Sequence, residues 1–289
     1  MAKFSSKIFI DGGEPTETRQ AKELLGFLDG QTTNPSLIAK NLINREESRI
    51  TNQESGIKLT EEEALKEYQR IAQEMSTIIP EGSISIQVFA NQETTAEEMI
   101  IQARARHLWI PNSSIKLPCI PEGLKAAEVV CQEMPINITL VFSQSQAAAV
   151  YQATKNAKYP VFLSPFVGRL DDRGENGMQA VANIIKMFEP SDHHVEVLTA
   201  SVRNIDHVMY ALQLKSDIIT IPFKVFREWA EMKFEDPDPD YEYPHEDFIE
   251  IPFREDIVLG RPFLEYDLHH DLTDKGVATF YSDWMGLFK

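Results

Sequence analysis

The sequence predicts an α/β protein of the (β/α)8 TIM barrel class, with an acidic proline-rich insertion near the C-terminus and a closing helix. Three observations carry this reading. Eight short apolar, β-branched runs recur along the chain, segments of helical period separate most of them, and no glycine-rich phosphate loop follows the first run. Nearly continuous apolar runs are strands buried on both faces, and alternation with helices makes them parallel. That leaves an open doubly wound sheet or a closed barrel. An open sheet usually carries GxGxxG or GK[ST] after its first strand, whereas this chain has Gly12-Gly13-Glu14-Pro15 there. Dinucleotide binding is therefore disfavoured, and eight units favour the barrel.

The strand runs, in order, are residues 7–11 (KIFID), 26–30 (GFLDG), 83–89 (SISIQVF), 114–118 (SIKLP), 136–142 (INITLVF), 161–167 (VFLSPFV), 195–202 (VEVLTASV) and 217–223 (DIITIPF). Between them, residues 59–79 place Ala64, Leu65, Tyr68, Ile71, Ala72 and Met75 on one helical stripe. Helical patterns also cover residues 95–108, 122–133, 143–155, 178–188, 204–214 and 224–232. Residues 235–256 break the rhythm: ten acids, one base and four of the sixteen prolines exclude a regular helix there. The excursion is read as reaching residue 268, and a lid, a dimer contact and a solvated flap all fit its composition. A closing helix follows over residues 271–285, with Asp271 or Thr273 as candidate N-cap. All 289 residues are read as one barrel domain.

Composition bounds the function. With 45 acidic and 28 basic residues the formal charge is −17, a poor match for phosphate backbones or anionic membranes. Nucleic acid and membrane are not expected partners. Residues 235–256 hold −9 of that charge, so the remainder of the chain is only mildly acidic. Cys119 and Cys131 form no CxxC pair or disulfide framework, the N-terminus lacks a signal peptide's apolar region, and no apolar run reaches the roughly 20 residues of a membrane helix. A cytoplasmic protein is expected. The pairs His193-His194 and His269-His270 have neither HExxH spacing nor a nearby cysteine, so no metal site is expected and exposed histidine is the simpler reading. Trp109, Trp229 and Trp284 read as packing onto the barrel.

A barrel does its chemistry at the C-terminal ends of its strands, so polar residues late in the apolar runs are informative. Lys116 stands inside Ser114-Ile115-Lys116-Leu117-Pro118, where desolvation lowers an amine's pKa toward a nucleophilic neutral form. On residue chemistry alone, a strand-end lysine paired with a carboxylate such as Asp11 is the commoner outcome. Asp11, taken alone, fits a helix N-cap or turn better than a general base. Asn34, before Pro35, fits an N-cap for a helix over residues 36–40 or a ligand-binding amide. Asn137 and Thr139 are two apart and face the same side of their strand, where they need partners; Gln87 has the same problem. Ser164 lies in the sixth run and Ser201 ends the seventh. Arg169 and Arg203 fit surface ion pairs or, standing just beyond consecutive strand ends, a phosphate site.

Together these residues form motifs that resemble the transaldolase family. The match lies in Asp11 of FIDGG, Gly30-Gln31-Thr32-Thr33-Asn34-Pro35-Ser36-Leu37, Ile115-Lys116-Leu117-Pro118 with Glu122-Gly123-Leu124, Asn137-Ile138-Thr139-Leu140-Val141-Phe142-Ser143, Ser164-Pro165-Phe166-Val167-Gly168-Arg169, Ser201-Val202-Arg203-Asn204 and Leu272-Thr273-Asp274-Lys275-Gly276. It covers roughly residues 7–230 and 269–285 in the same order along the chain.

The resemblance implies a (β/α)8 barrel that moves a dihydroxyacetone unit between a ketose phosphate and an aldose phosphate. It implies Lys116 as the imine-forming lysine, Asp11 as the general acid/base, Asn34 and Asn137 as ligands of the donor hydroxyls, and Thr139 as holder of the catalytic water. Ser164 and Phe166 would line the donor site, and Arg169, Ser201 and Arg203 would bind phosphate. No cofactor or metal is implied, because the iminium supplies the electrophile, and the family's habit implies a homo-oligomer. One departure concerns Gln87, which stands where larger transaldolases carry glutamate and where the related fructose 6-phosphate aldolases carry glutamine. Phe166, in contrast, is the transaldolase choice where those aldolases use tyrosine. Gln87 cannot serve as a carboxylate, so a proton relay would run through Thr139, water and Asp11. The transferase is favoured, with the aldolase as alternative. A catalytically silent sugar-phosphate-binding barrel would be expected to lack Lys116 or Asp11, and both are present.

Overall fold

The computed structural model of the chain describes residues 4–49 and 59–288, with the side chains of residues 44–49 outside that description. Residues 1–3, part of the N-terminus read above as lacking a leader, lie outside it too. Eight parallel strands close into a barrel in sequence order. They are β1 (Lys7–Asp11), β2 (Gly30–Thr32), β3 (Ser83–Gln87), β4 (Ser113–Pro118), β5 (Ile136–Val141), β6 (Val161–Pro165), β7 (Val195–Thr199) and β8 (Ile218–Pro222). Closure comes from β1 pairing with β8, with Lys7 opposite Ile218 and Asp11 opposite Pro222. The helices between strands are α1 (Pro15–Leu25), α2 (Pro35–Arg49), α3 (Glu61–Ile78), α4 (Ala96–His107), α5 (Pro121–Val130), α6 (Gln144–Ala153), α7 (Val167–Asp171), α8 (Gly177–Phe188) and α9 (Ile205–Gln213), and α10 (Phe223–Glu231) follows β8. A last helix, α11 (Asp271–Met285), follows the excursion.

The helix starts follow from local chemistry. Thr60 and Thr95 each accept a hydrogen bond from the third helical N–H while Glu63 and Glu98 return one to the cap backbone, two capping boxes that open α3 and α4. Ser143, Asn176 and Asn204 cap α6, α8 and α9 through their side chains. On α3 the residues Ala64, Tyr68, Ile71, Ala72 and Met75 are buried against the barrel, as the periodicity requires.

Three local expectations are corrected. The second strand is not residues 26–30: α1 runs to Leu25, Gly26 ends it in the left-handed conformation (φ 90°), and pairing starts only at Gly30. Leu28 is buried and the Asp29 carboxylate accepts the Ile8 N–H at 2.7 Å, so the segment carries strand-like apolar residues while its backbone stays irregular until Gly30. The cap of α11 is His270, whose Nδ1 accepts the Leu272 N–H. Thr273, one of the two expected caps, instead donates its hydroxyl to the Leu140 carbonyl at 2.9 Å and ties α11 to β5. The other, Asp271, lies within the helix and binds Arg173 at 2.6 Å. Finally, the sixth and seventh runs end as strands at Pro165 and Thr199, because α7 starts at once and only the bridge of Phe166 to Ala200 continues the sheet.

The excursion is irregular apart from a single 3-10 turn, Phe263–Glu265. It is stitched to the helices all the same: Arg254 to Gln144 in both directions, Ile251 to Asn183 and Gln179, and Tyr241 to Asp206. At the N-terminal end of the barrel, Phe9 and Phe162 meet edge to face with ring centroids 6.0 Å apart and fill the interior. Among the described residues, no helix is long and apolar enough to cross a membrane.

Candidate active site

A cavity of about 200 Å³ opens at the C-terminal ends of the strands, where a barrel carries its chemistry. Asp11, Asn34, Lys116, Phe166, Arg169, Ser201 and Arg203 all line it. Seven of the residues singled out from sequence therefore meet in one place, although 192 positions separate the first from the last. Thr32, Thr220 and Phe280 line it as well. The other four lie among the interior side chains of the barrel. Register explains the grouping, since Gln87 pairs with Lys116 and Lys116 with Asn137; in parallel neighbours, paired residues point to the same face.

Lys116 is 2% exposed and makes no ion pair with Asp11 among the described residues, although the Asp11 charge is near enough to act on it. Its Nζ donates to the Thr33 carbonyl at 3.2 Å and stands 5.8 Å from the centre of the Phe166 ring. Burial pulls the ammonium down to about 8; the Asp11 charge opposes this and Arg169 adds to it. Asp11 is pushed the other way by burial, against the pull of Lys116, the Thr32 hydroxyl and Arg203. The Thr32 hydroxyl donates to Asp11 Oδ1 at 2.7 Å and lies 2.6 Å from the Thr220 hydroxyl. Asp11 is therefore neither a helix cap nor a surface turn former. It is a desolvated carboxyl held by a two-threonine chain.

Asn34 does act as a cap. Its Oδ1 accepts the Leu37 N–H at 2.9 Å, while its amide nitrogen remains available as a donor to another partner. Asn137 sits deeper, donating to Ser85 Oγ at 3.0 Å and accepting from Ser164 Oγ at 2.7 Å. Ser85 in turn is 2.9 Å from Ser114 Oγ. Among the described residues, Gln87 Oε1 and Thr139 Oγ1 are buried without a partner, a costly state that a polar ligand or water would relieve. Next to Thr139 the register of β5 slips, with Leu140 at φ 62°. Irregular backbone of this kind concentrates near functional sites.

The rim carries the positive charge. Arg169 makes no ion pair among the described residues; its guanidinium lies 5.5 Å from the Phe166 ring and 5.2 Å from the Phe280 ring, and burial with the nearby Arg203 charge lowers its pKa. Arg203 is more open and pairs with the exposed Asp172 at 3.1 Å, a contact of small energetic weight. Ser201 takes a left-handed φ of 60°. Among the described residues, no group of three or more His, Cys, Asp or Glu side chains could hold a metal ion. His193 and His269 are exposed, while His194 and His270 are half-buried.

The sequence reading missed Thr32, Thr220, Ser85 and Phe280. Thr32 was visible inside the Thr32-Thr33-Asn34 motif, and its place opposite Asp11 follows once β2 starts at Gly30. Ser85 alternates with Gln87 and so shares its face. Phe280 had no local signal, since only the docking of α11 across the mouth brings it there.

A family model described as transaldolase/fructose-6-phosphate aldolase matches residues 8–289. The chain is 33% identical over 281 residues to a protein of Moorella thermoacetica named "Probable transaldolase", covering 96% of this chain and 97% of that one. A protein of the same name from Bdellovibrio bacteriovorus is 33% identical over 279 residues, covering 96% and 97%. Another, from Herpetosiphon aurantiacus, is 31% identical over 279 residues, covering 96% and 94%.

Proposed function

Because the chain belongs to the transaldolase/fructose-6-phosphate aldolase family, we propose that it is a transaldolase working through a Schiff base on Lys116. The donor is fructose 6-phosphate or sedoheptulose 7-phosphate. The observation that carries this reading is a buried amine lowered to about 8 with no carboxylate bonded to it, in a cavity it shares with a desolvated carboxyl and two arginines. Such an amine is partly neutral near pH 7 and so nucleophilic.

Lys116 adds to the C2 carbonyl of the donor, and loss of water leaves a protonated imine. Asp11, as carboxylate, takes the C4 hydroxyl proton while the C3–C4 bond breaks toward the iminium. An aldose phosphate leaves, and the three-carbon enamine stays on Lys116. The enamine then attacks the aldehyde of the acceptor, Asp11 returns the proton to the new alkoxide, and hydrolysis of the imine frees Lys116 and the product ketose. Arg169, Arg203 and Ser201 hold the phosphate at the rim, a role suited to charge-assisted hydrogen bonding. Asn34 and Asn137 bind donor hydroxyls, and Ser164 fixes the amide of Asn137. Thr139 and Gln87, whose oxygens lack partners, hold the water that serves imine formation and hydrolysis.

An aldolase must let water protonate the enamine, whereas a transferase keeps water off until the acceptor arrives. Phe166 contributes no hydroxyl for such a water, which favours transfer; Gln87 favours the aldolase reading. A coupled assay for glyceraldehyde 3-phosphate, run on fructose 6-phosphate with and without erythrose 4-phosphate, decides between them. Acceptor-dependent turnover is expected, and equal rates without acceptor would make the protein an aldolase.

A further inference from the structure

The two rim arginines sit on separate segments, Arg169 within α7 and Arg203 just before α9, and side chains outside the cavity join those segments. The backbone N–H of Arg203 donates to His207 Nδ1 at 3.1 Å. The ring proton is therefore on Nε2, which donates to Asp171 Oδ2 at 2.5 Å. Asp171 is two residues beyond Arg169 and closes α7, and its Oδ1 accepts the Gly177 N–H at 2.9 Å. His207 is 0% exposed, so water does not compete for these bonds. The third member comes from the excursion. Tyr243 places its hydroxyl 2.9 Å from His207 Nε2 and donates to Asp171 Oδ2 at 3.2 Å, while its ring stacks on Tyr210. The same two segments also touch directly. Gly168 donates its N–H to the Ser201 carbonyl at 3.1 Å, and a Cβ at Gly168 would come within 2.4 Å of Arg203 Cγ.

We propose that His207, Asp171 and Tyr243 are positioning residues that set the spacing between Arg169 and Arg203, and so determine selectivity for the phosphorylated end of the sugar. On this view the excursion is neither lid nor free flap; it clamps the phosphate rim from behind. The proposal rests on the reading of the two arginines as the phosphate site. A chain of bonds from the Arg203 backbone through an imidazole to α7 has one length, so it fixes the spacing of the two segments that carry the arginines. Removing the Tyr243 hydroxyl frees Asp171 and His207 to shift while leaving the aromatic stack in place.

The test uses Tyr243→Phe, which deletes one oxygen, beside His207→Gln, which takes the acceptor from the Arg203 N–H. Steady-state constants are measured with fructose 6-phosphate and with unphosphorylated fructose as donors, and inorganic phosphate is titrated into each protein by calorimetry. The expected result is a KM for fructose 6-phosphate raised about 5-fold in Tyr243→Phe and more in His207→Gln. Phosphate binding should weaken by the same factor, with kcat and the constants for unphosphorylated fructose within 2-fold of the parent. Equal constants in parent and variants would overturn the proposal while leaving the phosphate site standing, and so would a parallel loss toward both donors. If the parent protein neither binds inorganic phosphate nor prefers the phosphorylated donor, the rim reading itself fails, and this inference falls with it.

Discussion

Positive charge is handled in opposite ways at the floor and the rim of the same cavity. At the floor, Lys116 is stripped of water and held by one backbone carbonyl. At the rim, Arg203 keeps an exposed guanidinium and an exposed carboxylate partner, and Arg169 lies between two aromatic faces. Burial loosens the lysine's hold on its proton, which opens a neutral, nucleophilic form near pH 8; arginine is cationic at any such pH, which suits it to bind an anion. The excursion is a third regime, with its acids mostly in solvent. The chain is strongly acidic as a whole and still presents a local cationic mouth, because screened surface charge does not reach far beyond a Debye length of about 8 Å.

The comparison can be broken at its strongest point by Asp11→Asn, which keeps the shape and removes the base. The expected loss in kcat is about 10²–10⁴-fold, checked by steady-state kinetics with acceptor present. Arg169→Ala at the rim should instead raise KM for a sugar phosphate about 10- to 100-fold, since charged hydrogen bonds contribute roughly 1.5–3 kcal/mol. If Arg169→Ala lowered kcat as severely as Asp11→Asn, floor and rim would not be separable.

Phe166→Tyr sharpens the comparison. A hydroxyl added to a ring about 5.8 Å from Lys116 Nζ gives a water near the enamine something to hold, so acceptor-independent release of glyceraldehyde 3-phosphate should rise a few-fold in the coupled assay. The smallest effect belongs to the excursion. Asp236, Asp238 and Asp240 are exposed, and changing all three to Asn should alter kcat/KM less than 2-fold and stability by less than about 0.5 kcal/mol, read by a denaturant midpoint.

The pH profile separates the regions again. Only neutral Lys116 attacks, so kcat/KM should climb from pH 6.5 through about 8 and then level. The linkage to stability has a definite sign. The folded state holds the Lys116 proton less tightly than the unfolded chain, whose lysine titrates near 10.5. The penalty for burying the ammonium is therefore complete below about pH 8 and is relieved as pH rises between 8 and 10.5.

Much of this was legible in the chain because chemistry and periodicity coincide there. Lys116 and Asn137 betray themselves as polar residues inside apolar runs, and strand ends are where a barrel collects its site. Residues 26–30 read as a strand from sequence because Phe27 and Leu28 are apolar, yet they are so for a packing reason unrelated to strand pairing. Thr273 reads as a cap by residue type, yet its hydroxyl is spent on the Leu140 carbonyl 133 positions away. Phe280 and the His207–Asp171–Tyr243 cluster had no local signature. They arise where α11 and the excursion dock, and such contacts depend on tertiary geometry that spacing does not encode.

The most direct measurement is borohydride reduction of the protein with fructose 6-phosphate, followed by peptide mass analysis, in the parent and in Lys116→Met. A reduced three-carbon adduct on Lys116 in the parent, absent from the folded variant, is the expected result. An unlabelled Lys116 in a folded, substrate-saturated parent, or an adduct on another lysine, would contradict the Schiff base.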